Sequence, residues 1–279
     1  MTSQTPSAGA TGAQASLDTE LGWRGKLAAT AQRAGLLIVI LLLCAIFQLF
    51  NPVFLSEGNI IEIFRSGALY FIVACASTLI LVGGGLDFSI GATFPLGGIA
   101  AGAFMLLGLP WPLAVLIGIA AGALVGVINA GVIVRYDVPP LIATLGSFFA
   151  IGGAITVYTG GTNLFGFPDN FNVLGQGRLF GIPYLIYYAV VIGILFHILL
   201  EHTAFGYDTR IAGGNRQAAS ANGVRVEMLD LKLYALSGAT TALAGIMFMA
   251  RTSTASPAAG GSALTFQVIT AIIIAGTSP

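Results

Sequence analysis

The stretch Leu81–Ala92, LVGGGLDFSIGA, sets three consecutive glycines and a carboxylate between two apolar runs. Each glycine weakens a helix by about 1 kcal/mol relative to alanine, so Gly83, Gly84 and Gly85 together end or break the helix that the preceding run would otherwise continue. Asp87 follows at once, and two readings of it stand side by side. It is either an interfacial turn in which Asp87 or Ser89 caps the next helix, or a polar point on a transport path, where water or opened backbone solvates the carboxylate. The glycines do not cradle a phosphate. No G-x-x-x-x-G-K-[ST] string occurs, and the single GK pair, Gly25-Lys26, has Glu20 in place of the first glycine and Leu27 in place of the hydroxyl.

Around this stretch the composition belongs to a membrane protein: 56% hydrophobic residues, 8% charged residues and a mean hydropathy of +0.92. The formal charge of zero arises from 11 basic and 11 acidic residues that cancel, so it implies neither nucleic acid nor an acidic substrate as partner, and the hydrophobic content makes the lipid bilayer the surroundings. Seven apolar runs approach or reach the roughly 20 helical residues that a hydrocarbon core requires. They are Gly35–Phe50, Ser66–Val82, Ala92–Leu109, Trp111–Val134, Pro139–Tyr158, Pro183–Leu200 and Leu231–Ala250. Runs such as GLLIVILLLCAIF lack the period of two that a barrel strand would show, so the expected class is all-α, a polytopic helical transmembrane protein. No small-residue cleavage site follows the first run, which therefore reads as an uncleaved span.

Residues 1–33 form the expected N-terminal tail, of which Met1–Ala15 has a disordered composition, and residues 34–279 the transmembrane domain. With a cytoplasmic N-terminus, Arg24, Lys26, Arg33, Arg135, Arg210, Arg216, Arg225 and Lys232 lie inside, and Arg65, Arg178 and Arg251 outside. Eight against three favours that orientation. It places Asn163–Ile182 outside and the polar segment 201–230 in the cytoplasm. The last run, Leu264–Ala275, has 12 residues, too few to span, and reads as a partial eighth span of a chain cut short or as a re-entrant segment.

Small residues recur at helix-packing spacing at Gly98 and Gly102, then at Gly118, Gly122 and Gly126, where they let backbones approach closely in lipid. Asn129, one turn further along, reads as an interhelical hydrogen bond in preference to a substrate ligand. Cys44 and Cys75 sit in apolar runs without metal or disulfide spacing and carry no function. His197 and His202, with Glu201 between them, do not match the i, i+4 spacing of a zinc helix and read as interfacial. No metal site and no catalytic set is legible.

Several of these strings in series resemble one family. GGGLDFSIG, then INAGVIVRYDVPPLIATLGS with Gly126, Asn129, Pro139-Pro140 and Thr144, then LAGIMFMARTSTASPAAG with Arg251, Pro257 and Gly260, are similar to the membrane permeases of bacterial ABC importers for monosaccharides, of the ribose, xylose, arabinose and galactose type. The resemblance covers about Asn51 to the end. It implies a subunit with no ATP-binding motif of its own, pairing with a second copy or a paralogue. A periplasmic binding protein would hand it a sugar, and a cytoplasmic ATPase would hydrolyse the ATP. Members usually carry about ten spans, each needing about 20 residues, so the chain would have about seven complete spans and part of an eighth. It also implies a multi-pass location in the inner membrane. Asp87, Ser89, Asn129 and Thr144 are then candidates for the translocation path. Thr265 and Gln267 stand where the family commonly carries acids.

In the polar segment, AGGNRQAASANGVRV has the form of a short helix with Asn215 as its cap and Gly223 as its left-handed stop. Gln217-Ala218-Ala219 followed by Gly223 resembles the E-A-A-x-x-x-G loop through which importer permeases contact their ATPase, with glutamine in place of glutamate. Asn215, Gln217, Ala218, Ala219 and Gly223 are thus the coupling candidates, against the plainer reading of a loop joining two spans. Two other functions remain in view: a related permease for branched-chain amino acids, and a secondary transporter. Against the latter stands the near absence of ionisable groups in the spans other than Asp87.

Overall fold

The computed structural model describes residue 35 and residues 38–276. The expected tail 1–33, with Arg24, Lys26 and Arg33, and the last three residues lie outside the described residues. The chain divides into two units, residues 1–60 and 61–279. In the first, helix α1 (Ile38–Phe50) is followed by a series of turns that Gln48 bonds on both sides. Its Nε2 donates to the Pro52 carbonyl (3.1 Å) and its Oε1 accepts from the Leu55 amide (2.8 Å).

The remaining elements are α2 (Glu57–Val82), α3 (Ile90–Leu106), α4 (Trp111–Tyr136), α5 (Pro140–Thr159) and α6 (Asp169–Gln176). A two-stranded hairpin of β1 (Arg178–Leu179) and β2 (Ile182–Pro183) leads into α7 (Tyr184–His202), α8 (Ala204–Gly214), α9 (Arg216–Ala221), α10 (Val226–Thr252) and α11 (Gly261–Ile274). The fold is all-α, and every apolar run falls on a helix. Among the described residues five helices, α2, α4, α5, α7 and α10, are long and apolar enough to cross a membrane. The run Ala92–Leu109 instead becomes the 17-residue α3, broken in character by Pro95. Twelve of its residues are buried, so it is packed among other helices and need not present a full span to lipid.

The second unit is organised around α10, 14 of whose 27 residues are buried. It lies along α4 and α3, which also pack on each other. Glycine makes this close approach possible. A Cβ on Gly126 would fall on the Tyr234 carbonyl, one on Gly122 on the Gly238 carbonyl, and one on Gly245 on the Phe94 carbonyl. These are backbone contacts that no rotamer change can relieve. The outer helices α5 and α7 have only 11% of their span residues buried.

The segment 201–230 differs from expectation. In place of a connector bearing one short helix it holds two helices, α8 and α9, and its first residues complete the last turn of α7. On the opposite side, Asn163–Ile182 contains α6, held against α10 by the fully buried Phe171, which clusters with Ile246, Met249 and Ala250, and by Gly175, where a Cβ would fall on the backbone of Ala250 and Arg251.

Candidate functional site

The three glycines end α2 as their composition requires. The Gly83 amide donates to the Leu79 carbonyl (3.0 Å), Gly84 takes a φ of +78°, and the Gly85 amide donates to the Ile80 carbonyl (2.9 Å). A side chain on Gly83 would meet Leu233 and one on Gly85 the Tyr234 hydroxyl, while a Cβ on Gly84 would lie 3.5 Å from the backbone of Gly213 on α8. The break therefore does two things: it turns the chain and it admits α8.

The turn carries Asp87 into the interior, where it is 6% exposed. Its Oδ1 accepts from the Ser89 amide (2.9 Å) and the Ser89 hydroxyl (2.5 Å), and its Oδ2 accepts from the Ser237 hydroxyl on α10 (3.2 Å). Asn129 on α4 donates through Nδ2 to Ser89 Oγ (2.9 Å) and accepts through Oδ1 from the Ser147 hydroxyl on α5. Thr144 Oγ1 accepts from the Phe88 amide (3.1 Å) and donates to the Pro140 carbonyl (2.8 Å). Tyr234 closes the group, its hydroxyl donating to the Leu86 carbonyl (3.0 Å).

Asp87, Ser89, Asn129 and Thr144, separate in sequence, are thus brought into one buried network that joins α3, α4, α5 and α10. Asp87 forms no ion pair among the described residues. The capping reading is corrected for Ser89 alone: it occupies the N-cap of α3 but makes no side-chain cap bond, because its hydroxyl is directed to Asp87, while Asp87 itself accepts the Ser89 amide at the start of the helix. Ser147, Ser237 and Tyr234 escaped the sequence reading. A single hydroxyl in an apolar run has no local signature, and its partners lie up to 150 residues away.

The coupling candidates form the second group. Asn215 Oδ1 accepts from the Ala218 amide (2.9 Å), capping α9, and Gly223 takes a φ of +87°. Gln217 and Ala218 are exposed. Ala219 is not: it is 0% exposed, packed in a cluster with Leu229 and Leu233 of its own chain. A contact from Ala219 to a partner is therefore corrected to an internal one that seats α9. The sequence also gave no hint of what holds α9 in place. Arg216 donates through both Nη atoms to the buried Asp230 of α10 (2.9 and 2.8 Å).

At the far end of α10, Arg251 donates to Glu62 Oε2 and to Ser66 Oγ (3.0 Å each), and Arg65 donates to Glu62 Oε1 (3.0 Å) and to the Gly175 carbonyl (2.8 Å). This charged girdle borders a cavity of about 370 Å³ lined by Ser66, Tyr70, Phe94, Phe248 and Arg251. No cluster of three metal-ligating side chains occurs among the described residues. Cys44 and Cys75 are both free, and the His197 and His202 rings meet edge to face at 5.8 Å.

Long apolar helices packed on glycines, with a buried polar network among them, define a multi-pass helical membrane protein. Residues 59–279 match the family described as branched-chain amino acid transport system / permease component, and the chain belongs to that family. It is similar to the ribose import permease protein RbsC of Bacillus subtilis (strain 168), 32% identical over 88% of this chain and 77% of that one. The ribose import permease protein RbsC of Escherichia coli (strain K12) is 30% identical, over 87% and 76%. The autoinducer 2 import system permease protein LsrD of Salmonella typhi is 31% identical, over 83% and 71%. No solved structure matches.

Proposed function

We propose that the chain is the membrane-spanning subunit of an ATP-driven importer that passes a monosaccharide into the cytoplasm. The observation that carries this reading is the similarity to ribose import permeases of three different bacteria, over 86 to 88% of the chain. Within that reading a periplasmic binding protein delivers the sugar, a second copy or a paralogue completes the channel, and a cytoplasmic ATPase binds and hydrolyses the ATP. The chain itself uses no cofactor.

The bias of basic residues supports a cytoplasmic N-terminus in the inner membrane, which puts α8 and α9 on the ATPase side. Gln217 and Ala218, exposed on a helix capped by Asn215 and stopped by Gly223, form the contact; Ala219 and the Arg216–Asp230 pair hold that helix against α10. Asp87, Ser89, Asn129 and Thr144 act on the path from within, as the pins that fix the helices around it.

The test is uptake of labelled ribose by vesicles holding the full-length transporter with its binding protein and ATPase. Uptake that requires ATP, and that unlabelled ribose suppresses while leucine does not, is expected. ATP-driven uptake of labelled leucine with none of labelled ribose favours the second reading, an amino acid permease, which the family description supports. Uptake without ATP would refute both.

A further inference from the structure

Between the end of α4 and the start of α10, beside α9, lies an open cavity of about 1180 Å³. Its floor is apolar, built from Ala130, Gly131, Val134 and Leu231, while Arg135, Arg216 and Arg225 line it against a single acid, Glu227. Arg216 is committed to Asp230, whereas Arg135 and Arg225 form no ion pair among the described residues. The floor continues along α4. Leu124, Val127 and Ile128 are exposed, Gly131 has open space where a Cβ would stand, and the i, i+3, i+4 spacing carries this strip along one helix face to Arg135.

We propose that this cavity binds one anionic phospholipid, its phosphate held by Arg135 and Arg225 and an acyl chain laid along Leu124, Ile128 and the notch at Gly131. α4 is long and apolar enough to cross the bilayer, so its last turn stands where hydrocarbon gives way to head groups. Guanidinium groups match phosphate oxygens in a fork geometry, and basic pockets between spans at that level suit anionic head groups. Gln217, Ser220 and Gly223 also line the cavity, so a soluble protein docked on α9 would share its rim; the exposed apolar strip Leu124, Val127 and Ile128, on a helix long and apolar enough to cross a membrane, favours the lipid. The inference does not depend on which solute the permease carries.

The test uses the full-length transporter with its partner subunits, delipidated and then exposed to phosphatidylcholine vesicles with and without phosphatidylglycerol, with retained lipid counted by native mass spectrometry. Wild type is expected to retain phosphatidylglycerol in preference to phosphatidylcholine. Each of Arg135→Gln and Arg225→Gln should weaken that retention roughly fivefold and the pair roughly thirtyfold, from the usual contribution of a basic residue near an anionic surface. Gly131→Leu should reduce retention with no change of charge, at a melting temperature no lower than that of wild type. The proposal is overturned if the two lipids are retained alike, or if the double variant retains phosphatidylglycerol as wild type does. It is overturned equally if inorganic phosphate competes as well as the lipid, which makes this a free-anion site. Loss of ATPase association in the double variant with lipid retention intact would give the cavity to the protein partner.

Discussion

Two glycines five residues apart on α4 allow packing to be separated from helix propensity. Gly126 faces α10, and a methyl group there would fall on the Tyr234 carbonyl and lie 2.8 Å from Ala235 Cα. Gly131 faces open space, with nothing within 4 Å. Alanine at either site gains about 1 kcal/mol of helix propensity. At Gly126 the helices would have to part by about 1 Å, and the parting spreads to Gly122, where a Cβ would fall on the Gly238 carbonyl. Overpacking of this kind costs about 1 to 3 kcal/mol, and we take the upper figure because the obstacle is backbone. We therefore predict a net loss of about 2 kcal/mol for Gly126→Ala and a gain of up to about 1 kcal/mol for Gly131→Ala. Thermal unfolding of each variant in lipid nanodiscs reads the difference. If both variants shift the melting temperature alike, the close seam between α4 and α10 is wrong and with it the placement of the polar network beside it.

Three further outcomes are expected. Arg216→Ala leaves the carboxylate of Asp230, 3% exposed, unpaired, and should destabilise the α9 region by about 3 kcal/mol, whereas Asp230→Ala frees an arginine that reaches water and should cost about 1 kcal/mol or less; hydrogen exchange over 216–221 that rises equally in both would refute the asymmetry. Asp87→Ala removes the acceptor of three hydrogen bonds and should cost about 3 kcal/mol, while Asp87→Asn, which keeps an acceptor and the shape, should melt close to wild type; equal melting of the two would show that the network does not hold the helices. A cysteine introduced at Asn172 should react with an impermeant reagent in intact cells and one at Ser220 should not, and the opposite pattern would reverse the orientation.

The helices around the quoted stretch were legible because lipid imposes one solution on long apolar runs, and the four-residue spacing of Gly118, Gly122 and Gly126 marks a single helix face. The cap and stop of α9 were legible for a similar reason: Asn215 and Gly223 act on their own backbone. The polar network was not, because it is tertiary. Asn129 and Asp87 stand out in apolar runs, but nothing local shows that Ser89 bridges them, or that Ser147 and Ser237 supply the remaining donors from α5 and α10. The burial of Ala219 was hidden too, since a six-residue helix is shorter than two turns and shows no face by pattern.

Helix α8 is the instructive miss. Gly206, Gly213, Gly214 and Asp208 all argue against a helix by propensity, and a reading that weighs each residue alone makes the segment a loop. Two of those glycines stand in the helix because of what lies against them. A Cβ at Gly206 would strike the Leu200 carbonyl at the end of α7, and one at Gly213 the Val82 carbonyl at the end of α2. Gly213 also lies against Gly84, inside the stretch LVGGGLDFSIGA. Residues that lower the propensity of α8 are therefore the ones that let it dock, and the glycines read as a break in one helix are half of a contact with another. Propensity costs of about 1 kcal/mol per glycine are outweighed by packing that sequence patterns do not record, because its two halves lie some 130 residues apart in a chain where Gly84 meets Gly213.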